Sequence, residues 1–392
     1  MRFSDVQHQD RALSILRRAL RSGRTHHAYL LEGPEGVGKE LAARALAARL
    51  LCEAETRPLD ADACGDCRAC RLLAAGNHPD FHLIHRGLHK FHPDRVIRGG
   101  KGLFLVVDLI RQFLIEPAAM KPAQGRRRVF IIRDAERMNE QAQNALLKTL
   151  EEPPGAAVLI LITSSATRLL PTIRSRCQVV PFQHLPAVFV SAQLVGRAGL
   201  APPDAAALAG LSEGRLGIAL RWHQMGLRAA IAEVGRALGG LHERNPEVFA
   251  KTLIDLATEL AQRARQVGDE PGAEPEAADA TEDVDSEPQA GRSSAKAVPT
   301  DELRDALKLV LLLVAAFHRD ALLEQLRSAA PRFVPGERTQ VAALSAMGSG
   351  RLDTCLRAVA EAERMLDRNV APQLAGEHLA VALMGELPVL GQ

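Results

Sequence analysis

The stretch Gly33-Pro34-Glu35-Gly36-Val37-Gly38-Lys39-Glu40 decides how the first half of this chain folds. An apolar run over 28–31 precedes it and indicates a buried strand, and a segment rich in Ala, Leu and Arg follows it and indicates a helix. In that context a G-x-x-x-x-G-K loop lets backbone N–H groups converge on phosphate oxygens, while its lysine reaches the outer phosphates. The loop therefore predicts an α/β P-loop fold, and a chance glycine-rich turn is the alternative. The phosphate-binding positions would be Gly33, Gly36, Gly38 and Lys39.

Two positions near this loop depart from what ATP hydrolysis needs. In P-loop enzymes the residue after the lysine is Ser or Thr, whose hydroxyl binds Mg²⁺, but here it is Glu40, a carboxylate that would repel polyphosphate. A second apolar run, 129–132, should deliver an Asp to the metal. One register places Arg133 at that position and Asp134 at the water-activating one, whereas the other makes Asp134 the metal ligand and leaves Ala135 without a base. Both registers predict an incomplete hydrolytic pair.

The pattern along the chain changes after Phe182. Before it, almost continuously apolar runs over 28–31, 129–132 and 158–162 alternate with helical patterns, one of which covers 139–150. This alternation is typical of a parallel sheet with helices on both faces. After Phe182 the pattern is helical.

One segment of the second half lacks a folding pattern. Residues 267–299 are rich in Pro, Ala, Gly and Ser, and nine acidic residues lie between 267 and 290 without a lysine or arginine. Such a composition cannot bury enough apolar surface to offset its ordering entropy, so we expect a flexible linker or insertion. Folded character resumes at Thr300, which we expect to cap the next helix. Within that helix, 309–314 is apolar on most sides, as in the centre of a bundle.

Composition excludes several classes of protein. The chain has 392 residues, of which 47% are hydrophobic and 24% charged, as in ordinary globular proteins. It has no run of the ~20 apolar residues that a membrane-spanning helix needs. Its first residues lack the apolar stretch of a secretory signal, so we expect a cytoplasmic protein without a membrane segment. The formal charge is +2, but nine of the 47 acidic residues lie in 267–290, which has no lysine or arginine, and the remainder carries about +11. That excess either attracts a polyanion or is solvated surface arginine.

Four of the six cysteines cluster, as Cys52 and Cys64-x-x-Cys67-x-x-Cys70. Zn²⁺ prefers four thiolates in a tetrahedron, and two-residue spacers let successive cysteines wrap one ion. With no coordination position left open, the predicted zinc is structural, and reduced, unbound thiols are the alternative. Cys355 is expected to be an ordinary helix residue.

An arginine in the segment Thr172-Ile173-Arg174-Ser175-Arg176-Cys177 is a further candidate. The segment follows the third apolar run, 158–162. An arginine in such a place can point out of its own subunit and stabilise transition-state charge in a neighbour's phosphate site. Without further context, a surface arginine in a turn is the favoured interpretation.

Together these features resemble the bacterial clamp-loader family of the AAA+ ATPases. The resemblance is nearly complete from Phe3 to about Leu220 and thinner beyond, where the acidic insertion has no counterpart. Its most specific part is the four-cysteine insertion combined with Ser-Arg-Cys. The other matching segments are His26-His27-Ala28-Tyr29-Leu30, the phosphate loop, Asn144-Ala145-Leu146-Leu147-Lys148-Thr149-Leu150-Glu151-Glu152-Pro153-Pro154 and Arg368-Asn369-Val370.

The resemblance implies an α/β P-loop AAA+ domain with a parallel sheet over 1–182, in which a zinc-binding insertion occupies about 52–70. A small helical lid domain would follow over 183–222. An all-α collar domain would cover 223–392, interrupted by the acidic insertion at about 267–299. In this family the collar holds a pentameric ring together.

The resemblance also implies roles and partners. Arg176 would be the arginine finger inserted in trans into the ATP site of an adjacent motor subunit. Lys39 and Gly38 would line a vestigial pocket that holds ATP without hydrolysis, and Thr163 or Ser164 stands where the sensor-1 residue belongs. The four cysteines match the family's zinc ligands. The implied partners are the gamma/tau motor and delta subunits, the sliding clamp and, through the complex, primed DNA.

Two types of subunit compete within the family. The motor type, gamma/tau, hydrolyses ATP, whereas a sibling type keeps the fold and usually carries eroded ATPase motifs. Glu40 and Arg133 are two such erosions. A third is Gly217, which stands where the phosphate-sensing arginine of sensor 2 belongs, although Arg215 is close by. The sequence therefore favours the sibling type, with the motor type and a P-loop ATPase outside replication as alternatives.

Overall fold

The predicted parallel sheet is confirmed. The computed structural model describes residues 2–54, 58–100, 104–124, 126–240, 245–268, 298–328 and 330–385. Five strands form one sheet in the order β2-β3-β4-β1-β5, and every neighbouring pair is parallel. The strands are β1 (Ala28–Glu32), β2 (Phe81–Ile84), β3 (Arg128–Ile132), β4 (Ala157–Thr163) and β5 (Gln178–Pro181). Each of the three strands predicted from apolar runs is present, longer by one residue at one or both ends.

Parallel pairing brings the carboxyl ends of the strands to one edge of the sheet. Glu32, the last residue of β1, pairs with Thr163, the last residue of β4, and the N–H of Gly33 donates to the Thr163 carbonyl oxygen at 3.3 Å. Strand β4 also pairs with β3, so Arg133 leaves the sheet at the same edge. Ligands of open α/β sheets bind outside this edge, and the phosphate loop begins there.

Helices cover the sheet and complete the first of two units, Met1–Pro186 with Gly214–Gly217. Every residue of β3 and β4 is buried, as expected of strands that are apolar on both faces. The helices are α1 (Asp10–Arg21), α2 (Lys39–Leu51), α3 (Arg68–Ala74), α4 (Arg95–Arg98), α5 (Val107–Ile110), α6 (Glu116–Ala118), α7 (Glu140–Glu151) and α8 (Pro171–Arg176). Helix α7 agrees with the pattern at 139–150, and the Asn139 side chain caps it by accepting from the N–H of Ala142.

Two glycines of the phosphate loop are required by the path of the chain. Gly33 has a φ of 149°, and a Cβ there would lie 2.4 Å from the carbonyl oxygen of Phe182. Gly38 has a φ of 100° and is the N-cap of α2. Residues with a side chain rarely adopt these angles, so both positions favour glycine irrespective of any ligand.

The second unit, Ala187–Glu213 with Ile218–Gln392, contains no strand among its described residues. Its long helix α14 packs against α13, α15 and α16 and buries Leu307, Val310 and Phe317 completely. This confirms the predicted central helix of a bundle. The helices are α9 (Ala187–Ala198), α10 (Pro202–Leu211), α11 (Leu216–Gln224), which begins in the first unit, α12 (Leu227–Gly239), α13 (Pro246–Gly268), α14 (Thr300–Gln325), α15 (Arg338–Ser345), α16 (Ser349–Asp367) and α17 (Pro372–Met384).

Two details of the second half differ from the sequence analysis. The prediction of Thr300 as an N-cap is wrong, because Pro299 is the N-cap and Thr300 is already the first helical residue. Proline fixes its own φ but has no side-chain acceptor, so no side chain at the N-cap accepts from the first N–H groups of α14. Helix α13 runs to Gly268, so the first two residues of the predicted acidic insertion are helical, and 269–297 lie outside the described residues.

No helix in the described part of the chain combines the length and the apolar character needed to cross a bilayer. The division of the helical half into a lid over 183–222 and a collar over 223–392 stays a prediction.

Candidate functional site

The phosphate loop is closed by its own lysine. Lys39 is the first residue of α2 and is only 6% exposed. Its ammonium group donates hydrogen bonds to the backbone carbonyl oxygens of Gly33 and Pro34. Burial lowers the pKa of Lys39 to about 8, against nearby carboxylates, Glu136 foremost, which raise it. The lysine therefore uses two of its three donors within the loop, where phosphate oxygens would otherwise accept them.

Glu40 is paired rather than left as an uncompensated charge. Its Oε1 accepts a hydrogen bond from Nη2 of Arg133 at 2.8 Å and one from Nε of Arg44 at 2.7 Å. Burial raises the pKa of Glu40, but the hydrogen bonds and charges of the two arginines outweigh it and leave the pKa below its ordinary value. The carboxylate that the sequence places beside the phosphate site is thus neutralised by one cation from α2 and one from the tip of β3.

The residues at this place do not fit the magnesium ion that P-loop enzymes use. Those enzymes hold Mg²⁺ with a Ser or Thr hydroxyl and an Asp after the second strand. Glu40 and Arg133 occupy the two positions, and their side chains bond to each other. A guanidinium has only N–H donors, whereas Mg²⁺ requires oxygen ligands at ~2.0–2.1 Å.

Asp134 does not restore the missing ligand. Its backbone is left-handed, with a φ of 53°. Its Oδ2 lies 3.8 Å from Nε of Arg86, with which it forms an ion pair. The structure therefore brings Arg133 rather than Asp134 to Glu40, which agrees with the first of the two registers considered for this strand.

Glu136 is a residue of this site that the sequence analysis missed. It lies just beyond β3, and its Oε1 accepts hydrogen bonds from the backbone N–H of Ser164, at 3.1 Å, and from the Ser164 hydroxyl. The hydroxyl oxygen of Thr163 accepts from the N–H of Ser165 at 3.0 Å. Burial raises the pKa of Glu136, but hydrogen bonds that include those from the side chains of Ser164 and Thr163 lower it below its ordinary value, so both candidates for the sensor-1 position contact this carboxylate. A second carboxylate two residues after Asp134 was the available signal.

The segment expected to carry sensor 2 lies against the phosphate loop. The N–H of Gly217 donates to the carbonyl oxygen of Gly36 at 2.8 Å. A Cβ on Gly217 would lie 2.9 Å from the Cα of Gly36. An arginine at this position would therefore have to displace the loop backbone, so the contact favours the glycine found there.

The four predicted zinc ligands lie together. The sulfur atoms of Cys52, Cys64, Cys67 and Cys70 are all within 4.8 Å of one another, and those of Cys64 and Cys70 are 3.8 Å apart. In a tetrahedron with Zn–S bonds of ~2.3 Å, neighbouring sulfurs are about 3.8 Å apart. Backbone N–H groups of the last three cysteines donate to the sulfurs of the preceding ones, and such donors favour thiolates. This donor set fits a structural zinc ion.

Arg176 is the last residue of α8, and its side chain is 34% exposed. Its Nη2 pairs with Oε1 of Glu151 at 2.6 Å, and its Nη1 donates to the Thr172 carbonyl oxygen at 3.0 Å.

Buried Gln143 of α7 anchors the entry to α8, because its Oε1 accepts from the N–H of Leu170 at 2.8 Å. The sequence analysis did not identify these two contacts, since Arg176 lies 25 residues from Glu151 and Leu170 lies 27 residues from Gln143.

We expect the zinc ion to depend on all four cysteines. The substitution Cys64→Ser should lower the zinc content of the purified protein and its melting temperature, because three thiolates no longer close the tetrahedron. Atomic emission and thermal unfolding measure the two effects. The control Cys355→Ala removes a buried thiol of α16 and should keep the zinc. Full zinc content in the Cys64→Ser variant would contradict the site.

Glu40 and Arg133 should be energetically coupled. A double-mutant cycle of Glu40→Gln and Arg133→Ala, measured by urea unfolding at pH 7, should give a coupling of about 0.5–3 kcal/mol. The folded pKa of Glu40 lies below its ordinary value of 4.5. The coupling should therefore be complete above pH 4.5 and be lost as the pH falls through the folded pKa. Arg86 pairs with Asp134 and not with Glu40, so a control cycle of Glu40→Gln with Arg86→Ala should be additive. Additive effects in the first cycle would disprove the pair of Glu40 and Arg133.

Known proteins resemble the first half of this chain. A family model described as "DNA polymerase III, delta subunit" matches residues 8–186. DNA polymerase III subunit delta' of Pseudomonas aeruginosa is 43% identical over 215 residues, which are 53% of this chain and 59% of that protein. The Bacillus subtilis subunit delta' is 38% identical over 178 residues, 45% of this chain and 48% of that protein. A gamma/tau subunit, from Mycobacterium bovis, is 37% identical over 184 residues, 47% of this chain and 29% of that protein.

The chain thus aligns with about three fifths or less of the length of each of these relatives. The stretch that the family model matches contains the phosphate loop, the cysteine cluster and the Ser-Arg-Cys segment. Over residues 8–186, the chain is therefore similar to the delta' subunits of DNA polymerase III.

Proposed function

We propose that this chain is a delta-prime-type ring member of the DNA polymerase III clamp loader that does not hydrolyse ATP itself. Its partners would be gamma/tau motor and delta subunits in a pentameric ring. Together they would load the sliding clamp on primed DNA. In this proposal the chain contributes an arginine to the ATP site of the neighbouring motor subunit.

The contact between Arg133 and Glu40 carries the non-hydrolysing part of the proposal. It occupies the two positions at which P-loop enzymes place their Mg²⁺ ligands. Phosphoryl transfer in P-loop enzymes relies on that metal to neutralise the developing charge. A chain whose own residues pair at this place lacks the means to stabilise the transition state.

A nucleotide held at this loop would therefore stay intact. The loop amides and Lys39 remain phosphate donors, but Lys39 would have to exchange two backbone carbonyls for phosphate oxygens. Sensor-2 chemistry is missing at Gly217, where the backbone contact with Gly36 leaves no room for a side chain. These contacts support ATP bound without turnover rather than a working motor site.

The exposure and charge of Arg176 support a role outside its own subunit. A guanidinium is always charged and presents its donors in a planar fork that matches phosphate. Arg176 stands at the end of a short helix, one third exposed, so a neighbouring phosphate could approach it.

The first test separates this role from that of a motor. The isolated full chain, incubated with Mg-ATP, should release no phosphate above the level of its Lys39→Ala variant. A colorimetric phosphate assay over several hours is sufficient. Metal-dependent turnover that Lys39→Ala abolishes would instead identify the chain as a gamma/tau-type motor.

The second test addresses Arg176 in the reconstituted complex. The substitution Arg176→Ala should reduce ATP turnover at the neighbouring site by about 10³–10⁵-fold, because arginine fingers raise the rate by that factor. Ring assembly, followed by size-exclusion chromatography, should be unchanged. The control Arg174→Ala changes an exposed arginine of the same helix and should leave turnover intact. Normal turnover in an assembled Arg176→Ala ring would refute the role.

A further inference from the structure

The side chain of Arg176 is already engaged within its own subunit. Glu151, the last residue of α7, places Oε1 2.6 Å from Nη2 of Arg176. The other terminal nitrogen, Nη1, donates to the Thr172 carbonyl oxygen. An arginine that is to bind a phosphate elsewhere must first give up at least one of these two contacts.

Glu151 is an unusual residue for its place in the helix. A carboxylate at a helix C-terminus faces the negative end of the helix dipole, which is unfavourable. The guanidinium of Arg176 compensates that charge, and both side chains remain partly exposed, at 34% and 47%. An ion pair so open to solvent shifts an equilibrium by only about 1.4- to 5-fold, so it can hold the arginine without trapping it.

We propose that Glu151 is a positioning residue which holds Arg176 at rest and competes for it with the phosphate of a nucleotide bound by the neighbouring subunit. The inference rests on the proposed role of Arg176. A terminal phosphate carries more negative charge than a carboxylate and can accept both N–H donors of the fork. The phosphate therefore displaces Glu151 when the ring is assembled and loaded, and Glu151 takes the arginine back when the phosphate leaves.

The chain provides a matched control in the next residue. Glu152 is also a carboxylate at the end of α7, and it is exposed. Its side chain forms no ion pair with any of the described residues, and its backbone N–H donates to the carbonyl oxygen of Lys148. Glu152→Gln therefore removes the same charge from the same helix end without touching Arg176.

The resting contact can be measured on the isolated full chain, without any ATPase. Phenylglyoxal modifies accessible arginines, and peptide mass spectrometry reports the rate at each one. Glu151→Gln should raise the modification rate of Arg176 by about 1.4- to 5-fold, while the rate at Arg174 stays the same. Glu152→Gln should change neither rate. An Arg176 rate that is equal in Glu151→Gln and in the unsubstituted protein would overturn the inference.

The competition itself is measured in the reconstituted complex. Glu151→Gln removes the competing carboxylate and should lower the ATP concentration for half-maximal turnover by about 1.4- to 5-fold. The value of kcat should stay unchanged, since the ground state and the transition state gain equally. A merely structural contact would instead lower kcat or leave both constants unchanged, and either result would overturn the inference.

The two proposals fail in different ways. If Arg176→Ala abolishes turnover but Glu151→Gln changes neither reactivity nor half-maximal ATP concentration, only the role of Glu151 is wrong. If Arg176→Ala leaves turnover normal, the arginine finger itself is wrong and the competition falls with it, whatever the reactivity of Arg176.

Discussion

A guanidinium and a carboxylate face each other in this protein where P-loop enzymes place a metal ion. Arg133 and Glu40 are 2.8 Å apart, and each would be costly alone: a carboxylate beside a phosphate loop, or a cation at the tip of a buried strand. Together they neutralise each other, with Arg44 as a second donor to the same oxygen. The P-loop unit thus supplies its own cation at this edge of the sheet, and its local charge balance does not require magnesium.

Other polar groups of the phosphate loop also bond within the chain itself. Lys39 bonds to loop carbonyls, the N–H of Gly217 bonds to Gly36, and the side chain amide of Gln9 donates to Val37 at 3.4 Å. The unit keeps the P-loop architecture. Within it, α7 packs against α8 and places Glu151 beside Arg176.

Local patterns were sufficient for the parts of the fold in which neighbours in sequence decide the structure. Continuous apolar runs located β1, β3 and β4, because strands buried on both faces leave no polar positions. The spacing of Cys64, Cys67 and Cys70 located the cysteine cluster, because two-residue spacers bring successive sulfurs close enough to bind one ion. Thr300 shows the weakness of such patterns, since a capping residue type one position too late resembles a cap but lies inside the helix.

The sequence by itself determined the P-loop fold, the cysteine cluster, and the fact that Glu40 and Arg133 depart from a working ATPase. It presented those two departures as separate losses. Only the tertiary structure decided that they are one contact, made between residues 93 positions apart, and that Arg176 rests on Glu151 and not free in solvent. The physical reason is that charge pairs between distant side chains depend on the register of the sheet and the packing of its helices, which no local spacing encodes.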